Sequence, residues 1–345
     1  MALTTAWSGM LDHLLLVMGA LLYPVNSHAS FALVFFGYFF FLLEQYGRSP
    51  FMRLQPHRRS GNVAARIKPY REAKRKLVIV AHLDSPRSAF YNRPGLVKLF
   101  RPFLLLDFLS QTLLFMLLTV AYGGYLLSME RDTLDLLWRG CLLLGILPAL
   151  AMVALLMKAA AGRSTPGGNQ NASGVAVLLE LARAYARRQP YETELWMVAT
   201  GASDVSGLGV RRFVSGHRRE LKGGYFLVLD GVGRGFPVCF RREGRLLPFR
   251  ANRKLTSLAG RVFVDQAHYA AGFSNNRLWL SEGFQLLSRG RKAMTVSSRE
   301  ESRCPRFWRW HKDDYDNIDP RSLRLAVEFM RALVDGFDRG DLSGK

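Results

Sequence analysis

Hydrophobic positions gather in four runs, and the segments between and after them carry most of the charge. The first run, residues 11–23, is separated from a Phe-rich second run, residues 31–43, by Pro24, Val25, Asn26 and Ser27. Each is shorter than the ~20 residues that span a bilayer upright. Flanking Ala, Ser, Gly and Tyr extend both, so residues 1–46 are expected to form a hydrophobic hairpin with one or two membrane segments. Residues 103–127 and 136–157 are long enough to span. They flank a short polar loop with Glu130, Arg131, Asp132 and Asp135, and are predicted to form a second transmembrane hairpin over residues 103–158. Asp107, Ser110 and Gln111 fall near the start of the third run and are expected at the membrane interface. Pro148 is expected to kink the fourth run without ending it.

The other segments, 47–102 and 161–345, show a different pattern. Lys76-Leu-Val-Ile-Val-Ala81, Glu194-Leu-Trp-Met-Val-Ala-Thr200 and Tyr225-Phe-Leu-Val-Leu229 are short apolar runs of the kind found in buried strands. Helical periodicity alternates with them over 172–188, with Asn171 and Ser173 as capping candidates, over 208–221, and over 320–337 behind Pro320. This alternation predicts an α/β domain: a mixed, mostly parallel sheet covered by helices on both faces, split by the inserted hairpin. With it come three to four transmembrane helices.

Charge sharpens the division. The chain of 345 residues has 48 Lys plus Arg against 27 Asp plus Glu, a formal net charge of +21. Residues 2–45 contain no Lys or Arg, whereas 47–102 contain 14 basic and two acidic residues, and 161–345 contain 31 and 19. A hairpin between the two basic segments returns both to one side of a membrane. The near-membrane residues Arg48, Arg53, Lys98, Arg101, Lys158 and Arg163 put that side in the cytoplasm, as in a bacterial-type inner membrane. Membrane lipids are thus the first expected partner. Basic pairs such as Arg58-Arg59, Arg211-Arg212 and Arg241-Arg242 suit anionic headgroups. No nucleic-acid partner is expected, since no helix-turn-helix, zinc-finger or RRM signature accompanies the charge. Cys141, Cys239 and Cys304 are too few for a disulfide framework.

The chemistry-bearing residues sit at strand ends, where ligands gather in parallel sheets. His82 and Asp84 follow the first strand, Ser203 and Asp204 the second, and Asp230 the third, while His311 precedes the last helix. Two His with several carboxylates is the composition of a zinc-type site. Asn62-Val-Ala-Ala-Arg-Ile67, Val80-Ala-His-Leu-Asp-Ser85, Gly168-Asn-Gln-Asn-Ala-Ser-Gly174, Gly201-Ala-Ser-Asp-Val-Ser-Gly-Leu-Gly209, Leu229-Asp-Gly231 and Trp310-His311 through Asp316-Asn-Ile-Asp319 occur in order. In these segments the chain resembles metallopeptidase family 28, the co-catalytic di-zinc aminopeptidases with their glutamate carboxypeptidase and glutaminyl cyclase relatives.

The resemblance implies His82 and Asp230 on one metal, Asp204 and His311 on the other, and Asp84 orienting His82. Two positions depart from the pattern. Gln170 stands where the family has the Asp that bridges both metals, and an amide cannot offset charge between two cations. Ser203 stands where the family has the Glu that takes a proton from metal-bound water, and general-base catalysis contributes ~10²–10⁴-fold. Asp313 and Asp314 are candidate substitute bases, and Asn275 and Asn276 mark a further lost acid. The family default is a membrane-anchored zinc aminopeptidase that acts on a peptide or protein N-terminus. The two losses favour a pseudo-peptidase with one or two weakly held zinc ions or none. A third reading makes the basic surface itself a membrane-binding module.

Overall fold

Four helices and a sheet domain make up the chain, in two compact units: Met1–His57 with Ala89–Tyr91 and Leu96–Gly162, and Arg58–Ser88 with Asn92–Gly95 and Arg163–Lys345. The computed structural model describes residues 6–49, 51, 59–265, 272–300 and 307–341. Arg53, Arg58 and Cys304 lie outside the described residues.

The helical unit contains α1 (Ala6–Leu22), α2 (Ser27–Gln45), α3 (Phe100–Leu126) and α4 (Arg131–Ala161). The segment Val97–Leu126, α2 and α4 are long and apolar enough to cross a membrane, while α1 is shorter. At 1.5 Å per residue, 31 residues reach about 46 Å, more than the ~30 Å hydrocarbon core. Pro148 lies inside α4 without ending it. The tight turn into α2 is fixed by Asn26, whose Oδ1 accepts from the Ala29 amide at 2.9 Å. Close packing follows from small residues: a Cβ on Gly19 would meet Val34 at 2.6 Å, and one on Gly37 would meet the Asp12 carbonyl at 3.0 Å.

The polarity of this unit is inverted relative to a water-soluble bundle. Phe35, Phe36, Phe39, Leu106, Leu109, Met116, Val120, Leu143 and Leu150 are exposed, whereas Asp12, His13, Asp107, Ser110, Gln111 and Lys158 are buried. An apolar exterior this extensive suits hydrocarbon. Asp107, Ser110 and Gln111 thus face the bundle interior. The reason is pairing: Ser110 donates to the Leu144 carbonyl, and Gln111 Nε2 donates to Asp107 Oδ2 at 2.8 Å.

In the second unit the strands are β1 (Val63–Ile67), β2 (Arg75–His82), β3 (Thr193–Thr200), β4 (Tyr225–Leu229), β5 (Phe236–Glu243), β6 (Phe249–Arg250), β7 (Gly272–Asn276) and β8 (Lys292–Arg299). The sheet order is β1-β3-β2-β4-β8-β5-β6, with β7 on β5. β3, β2, β4 and β8 run parallel, while β1 and β5 are antiparallel to their neighbours β3 and β8. The helices are α5 (Ser173–Arg187), α6 (Leu208–Gly216), α7 (Arg253–Asp265), α8 (Glu282–Leu287) and α9 (Pro320–Arg339).

Successive side chains of the central strands go to opposite faces, and both faces are covered. Leu77, Ile79, Leu195 and Met197 pack with Leu181, Leu258 and Phe329 from α5, α7 and α9. Val78, Val80, Trp196 and Val198 pack with Val210, Phe213 and Leu286 from α6 and α8. This double cover explains the uninterrupted apolar runs.

Two expectations are corrected. The helix expected over 208–221 stops at Gly216, before the polar run His217–Glu220. At the start of α5 neither Asn171 nor Ser173 caps the helix. Asn171 Nδ2 donates to the Leu229 carbonyl and its Oδ1 accepts from the Gly231 amide, while Ser173 Oγ donates to the Asn169 carbonyl. Both side chains tie the turn before α5 to its surroundings. That bonding also leaves Asn171, the acceptor of an Asn-Ala-Ser sequon, buried.

Candidate active site

Parallel pairing brings three loops together. His82 is paired with Thr200 and Ala81 with Leu229, so the residues after β2, β3 and β4 emerge side by side. There a pocket is lined by His82, Asp84, Gln170, Ser203, Asp204, Asp230, Trp279, Glu282 and Arg309, together with Pro86, Leu280 and Ser281. Six of the seven residues singled out from the sequence meet in it. The seventh does not.

His311 is exposed, with its ring against Trp310 at a centroid separation of 4.3 Å. The residue that enters from this loop is Arg309, whose Nη2 lies 2.7 Å from Asp204 Oδ1. Arg309 and Phe307 take the left-handed backbone conformation, with φ of 53° and 58°. Trp308 between them is buried against Trp279 at 5.7 Å. Asp313 holds the end of the loop: its carboxylate oxygens accept from the Asn169 and Gln170 amides at 2.8 and 3.1 Å. Asp314 accepts from Asn317 Nδ2. Neither lines the pocket, so neither is placed to replace the missing base.

Asp230 and Asp84 are hydrogen-bonded by the protein itself, whereas Asp204 meets Arg309 as an ion pair without a hydrogen bond. Asp230 Oδ1 accepts from Gln170 Nε2 at 2.8 Å, and Oδ2 accepts from Trp279 Nε1 at 2.7 Å. Asp84 Oδ1 and Oδ2 accept from the amides of Ser203 and Asp204, both at 2.9 Å. His82 Nδ1 donates to the Asp84 main-chain carbonyl at 2.8 Å, while the carboxylate stands 3.8 Å away. The role expected for the Asp84 side chain is therefore taken largely by its backbone. His82 Nε2 lies 3.9 Å from Asp230 Oδ1, an ion-pair distance rather than a hydrogen bond.

Burial opposes a charge on His82, yet Asp230, Asp84 and Glu282 outweigh it and push the imidazole up to about 9. Burial acts on Asp230 in the opposite sense from its partners. His82, Trp279 and Gln170 prevail and hold its carboxyl below the usual range.

Glu282 and Arg309 are the pocket residues that sequence reasoning missed. Glu282 is buried, accepts from Thr200 Oγ at 2.7 and 2.9 Å, and is pushed up to about 7, chiefly by burial. Its sequence signal is only that of an acid opening a short helix. Asn276, noted as a lost acid, instead fixes the turn that aims Trp279: Nδ2 donates to the Trp279 carbonyl and Oδ1 accepts from the Trp279 amide.

The profile of peptidase family M28 matches residues 155–334, just over half of the chain. The chain belongs to peptidase family M28. Among solved structures it is similar to the aminopeptidase from Aneurinibacillus sp. strain AM-1, at 16% identity over 80% of this chain and 47% of that one, with a TM-score of 0.47. The zinc aminopeptidase BSAP from Bacillus subtilis is 16% identical over 79% and 49%, with a TM-score of 0.48. The glutaminyl cyclase of Bacteroides thetaiotaomicron is 15% identical over 80% and 77%, with a TM-score of 0.47. The chain spans about half the length of the first two. No curated protein matches it.

A two-zinc centre does not fit the residues of this M28 member. Among the described residues, no three His, Cys, Asp or Glu side chains are grouped to hold a metal ion. Gln170 turns its NH₂ toward Asp230, a guanidinium pairs with Asp204, and His311 is elsewhere. Donors that are themselves N–H groups or cations cannot ligate a cation.

Proposed function

We propose that the chain is a membrane-embedded M28 pseudo-peptidase that uses its pocket for binding rather than hydrolysis. The observation that supports this best is the engagement of Asp230 by the Gln170 amide and the Trp279 indole, with the Arg309 guanidinium ion-paired to Asp204, whose buried carboxylate oxygens have no hydrogen-bond partner among the described residues. His82 and Arg309 supply positive charge where the family's zinc ions would. A hydroxyl at Ser203 is a weak base at neutral pH, and no other free base lines the pocket beyond Glu282, which Thr200 holds. Asp84, Asp204, Asp230 and Glu282 outnumber the two cations. The preferred occupant is therefore a cationic group such as a peptide or protein N-terminus.

Three helices long and apolar enough to cross a membrane support the reading that the chain is anchored in lipid. The positive-inside bias puts the basic segments on the cytoplasmic face, where their surplus of Lys and Arg favours anionic headgroups.

The test is turnover of chromogenic aminoacyl substrates by the full chain in detergent with Zn²⁺ supplied. Wild type is expected to match an Asp230→Asn variant. Restoring the family's carboxylates by Gln170→Asp with Ser203→Glu leaves the protein inactive, because Arg309 still occupies Asp204 and His311 still lies outside the pocket. Turnover by wild type that Asp230→Asn abolishes would show an active peptidase.

A further inference from the structure

A second polar centre lies inside the helical unit, and the M28 reading does not use it. Asp12, His13, Asp107 and Gln111 are buried, Asp12 and Gln111 at 0% exposure. Charged and ionisable side chains inside a membrane bundle are costly and are retained for function or pairing. Here the pairing is incomplete. Both Asp12 oxygens, Asp107 Oδ1 and Gln111 Oε1 have no hydrogen-bond partner.

The geometry around His13 requires a proton. Its Nδ1 faces the Gly9 carbonyl, which can only accept, so Nδ1 carries a hydrogen. Its Nε2 lies 3.1 Å from Asp107 Oδ2. Without a proton between them, a nitrogen lone pair would face a carboxylate oxygen. Gln111 Nε2 donates to Asp107 Oδ2 at 2.8 Å and stands 3.0 Å from His13 Nε2, to which it donates only when that nitrogen carries no hydrogen, so that the shared proton then rests on Asp107. Asp12 is adjacent in sequence and within electrostatic reach of His13, Glu44 and Asp107. Three helices contribute ionisable groups to it: Asp12 and His13 on α1, Glu44 on α2 and Asp107 on α3. An unpaired carboxylate in such surroundings binds a proton more readily than it stays charged.

We propose that Asp12, His13 and Asp107 form a proton-exchange site within the helical unit, its ligand being the proton itself rather than a metal cation. One proton lies between His13 Nε2 and Asp107 Oδ2, and a second is carried by the Asp12 carboxyl. Each is taken from and returned to bulk water as the O–H or N–H bond forms and breaks. No group of His, Cys, Asp and Glu among the described residues has metal-binding geometry, which sets the proton apart from a divalent ion. Loss of these protons leaves the Asp12 and Asp107 carboxylates charged within electrostatic reach of one another.

The test is infrared spectroscopy of the full chain in lipid nanodiscs, with ¹³C-carboxyl aspartate incorporated. At neutral pH wild type is expected to show a protonated aspartyl carbonyl band that shifts with the label and in D₂O. Asp12→Asn removes one protonated aspartyl, and NaCl at constant pH leaves the wild-type band unchanged. The labelled wild-type spectrum stands even if a variant fails to fold. Absence of a protonated aspartyl band, its persistence in both Asp12→Asn and Asp107→Asn, or its displacement by Na⁺ would overturn the proposal.

Discussion

Arg309→Met is expected to destabilise the sheet domain by about 3 kcal/mol, because it strands the Asp204 carboxylate without its cation. Asp204 and Arg309 side chains are only 6% and 16% exposed, and no other cation stands at bonding distance from Asp204 among the described residues. Removing one member of such a pair costs more than the pair itself contributes, since the surviving charge keeps its desolvation penalty. In a domain of this size the loss corresponds to roughly 6–12 °C in melting temperature. Thermal unfolding of the full chain in detergent measures it. Adding Asp204→Asn to the same chain removes the stranded charge and should recover most of the loss. An unchanged melting temperature, or a double variant no better than the single one, would mean that Arg309 does not neutralise the pocket.

The second large effect is a pH dependence that belongs to His82. Its imidazole is pushed from 6.5 to about 9 by Asp230, Asp84 and Glu282, against the opposing effect of burial. A group with a raised folded-state pKa stabilises fully below its unfolded value and loses that contribution as pH rises through the folded value. His82 should therefore stabilise the fold by about 3 kcal/mol at pH 6, with the contribution fading toward pH 9. The measurement is the stability difference between wild type and His82→Gln across that range. Burial also raises Glu243 and Glu282 to about 7, so each loses stabilising effect as pH climbs through neutrality. Glu243 has no interaction with His82 and cancels in the difference, whereas Glu282 is lowered by His82 and rises further in the variant, so its contribution is part of the measured effect. A difference independent of pH would mean that His82 is neutral in the pocket.

The parts of this fold that could be read from the chain are those whose physics is local. β2, β3 and β4 are buried on both faces, so Leu77–Ala81 and their counterparts read as unbroken apolar runs. The residues that follow them were legible as a site because strand ends in a parallel sheet converge. β8 was not visible because Thr295, Ser297 and Ser298 put buried hydroxyls in it, satisfied by Glu243 and by carbonyls of the β4 loop. β1 was hard to read as a strand because it is an exposed antiparallel edge.

Arg309 escaped notice for a different reason. Among 48 basic residues one arginine carries no local signal, and its partner Asp204 lies 105 positions away. His311 drew the assignment through its motif, while the backbone turn at Phe307 and Arg309 decides which side chain enters the pocket. Asp12 and His13 interrupt the first apolar run of the sequence and went unremarked there. Only their burial beside Asp107 gives them a chemical meaning.

The central claim is that protein groups stand in for metal at this M28 site. Calorimetric titration of the full chain with Zn²⁺ in detergent, beside an Asp230→Asn variant, tests it most directly. The account predicts no tight site in the pocket and the same trace from both proteins. Two tight sites in wild type, both lost in Asp230→Asn, would contradict it.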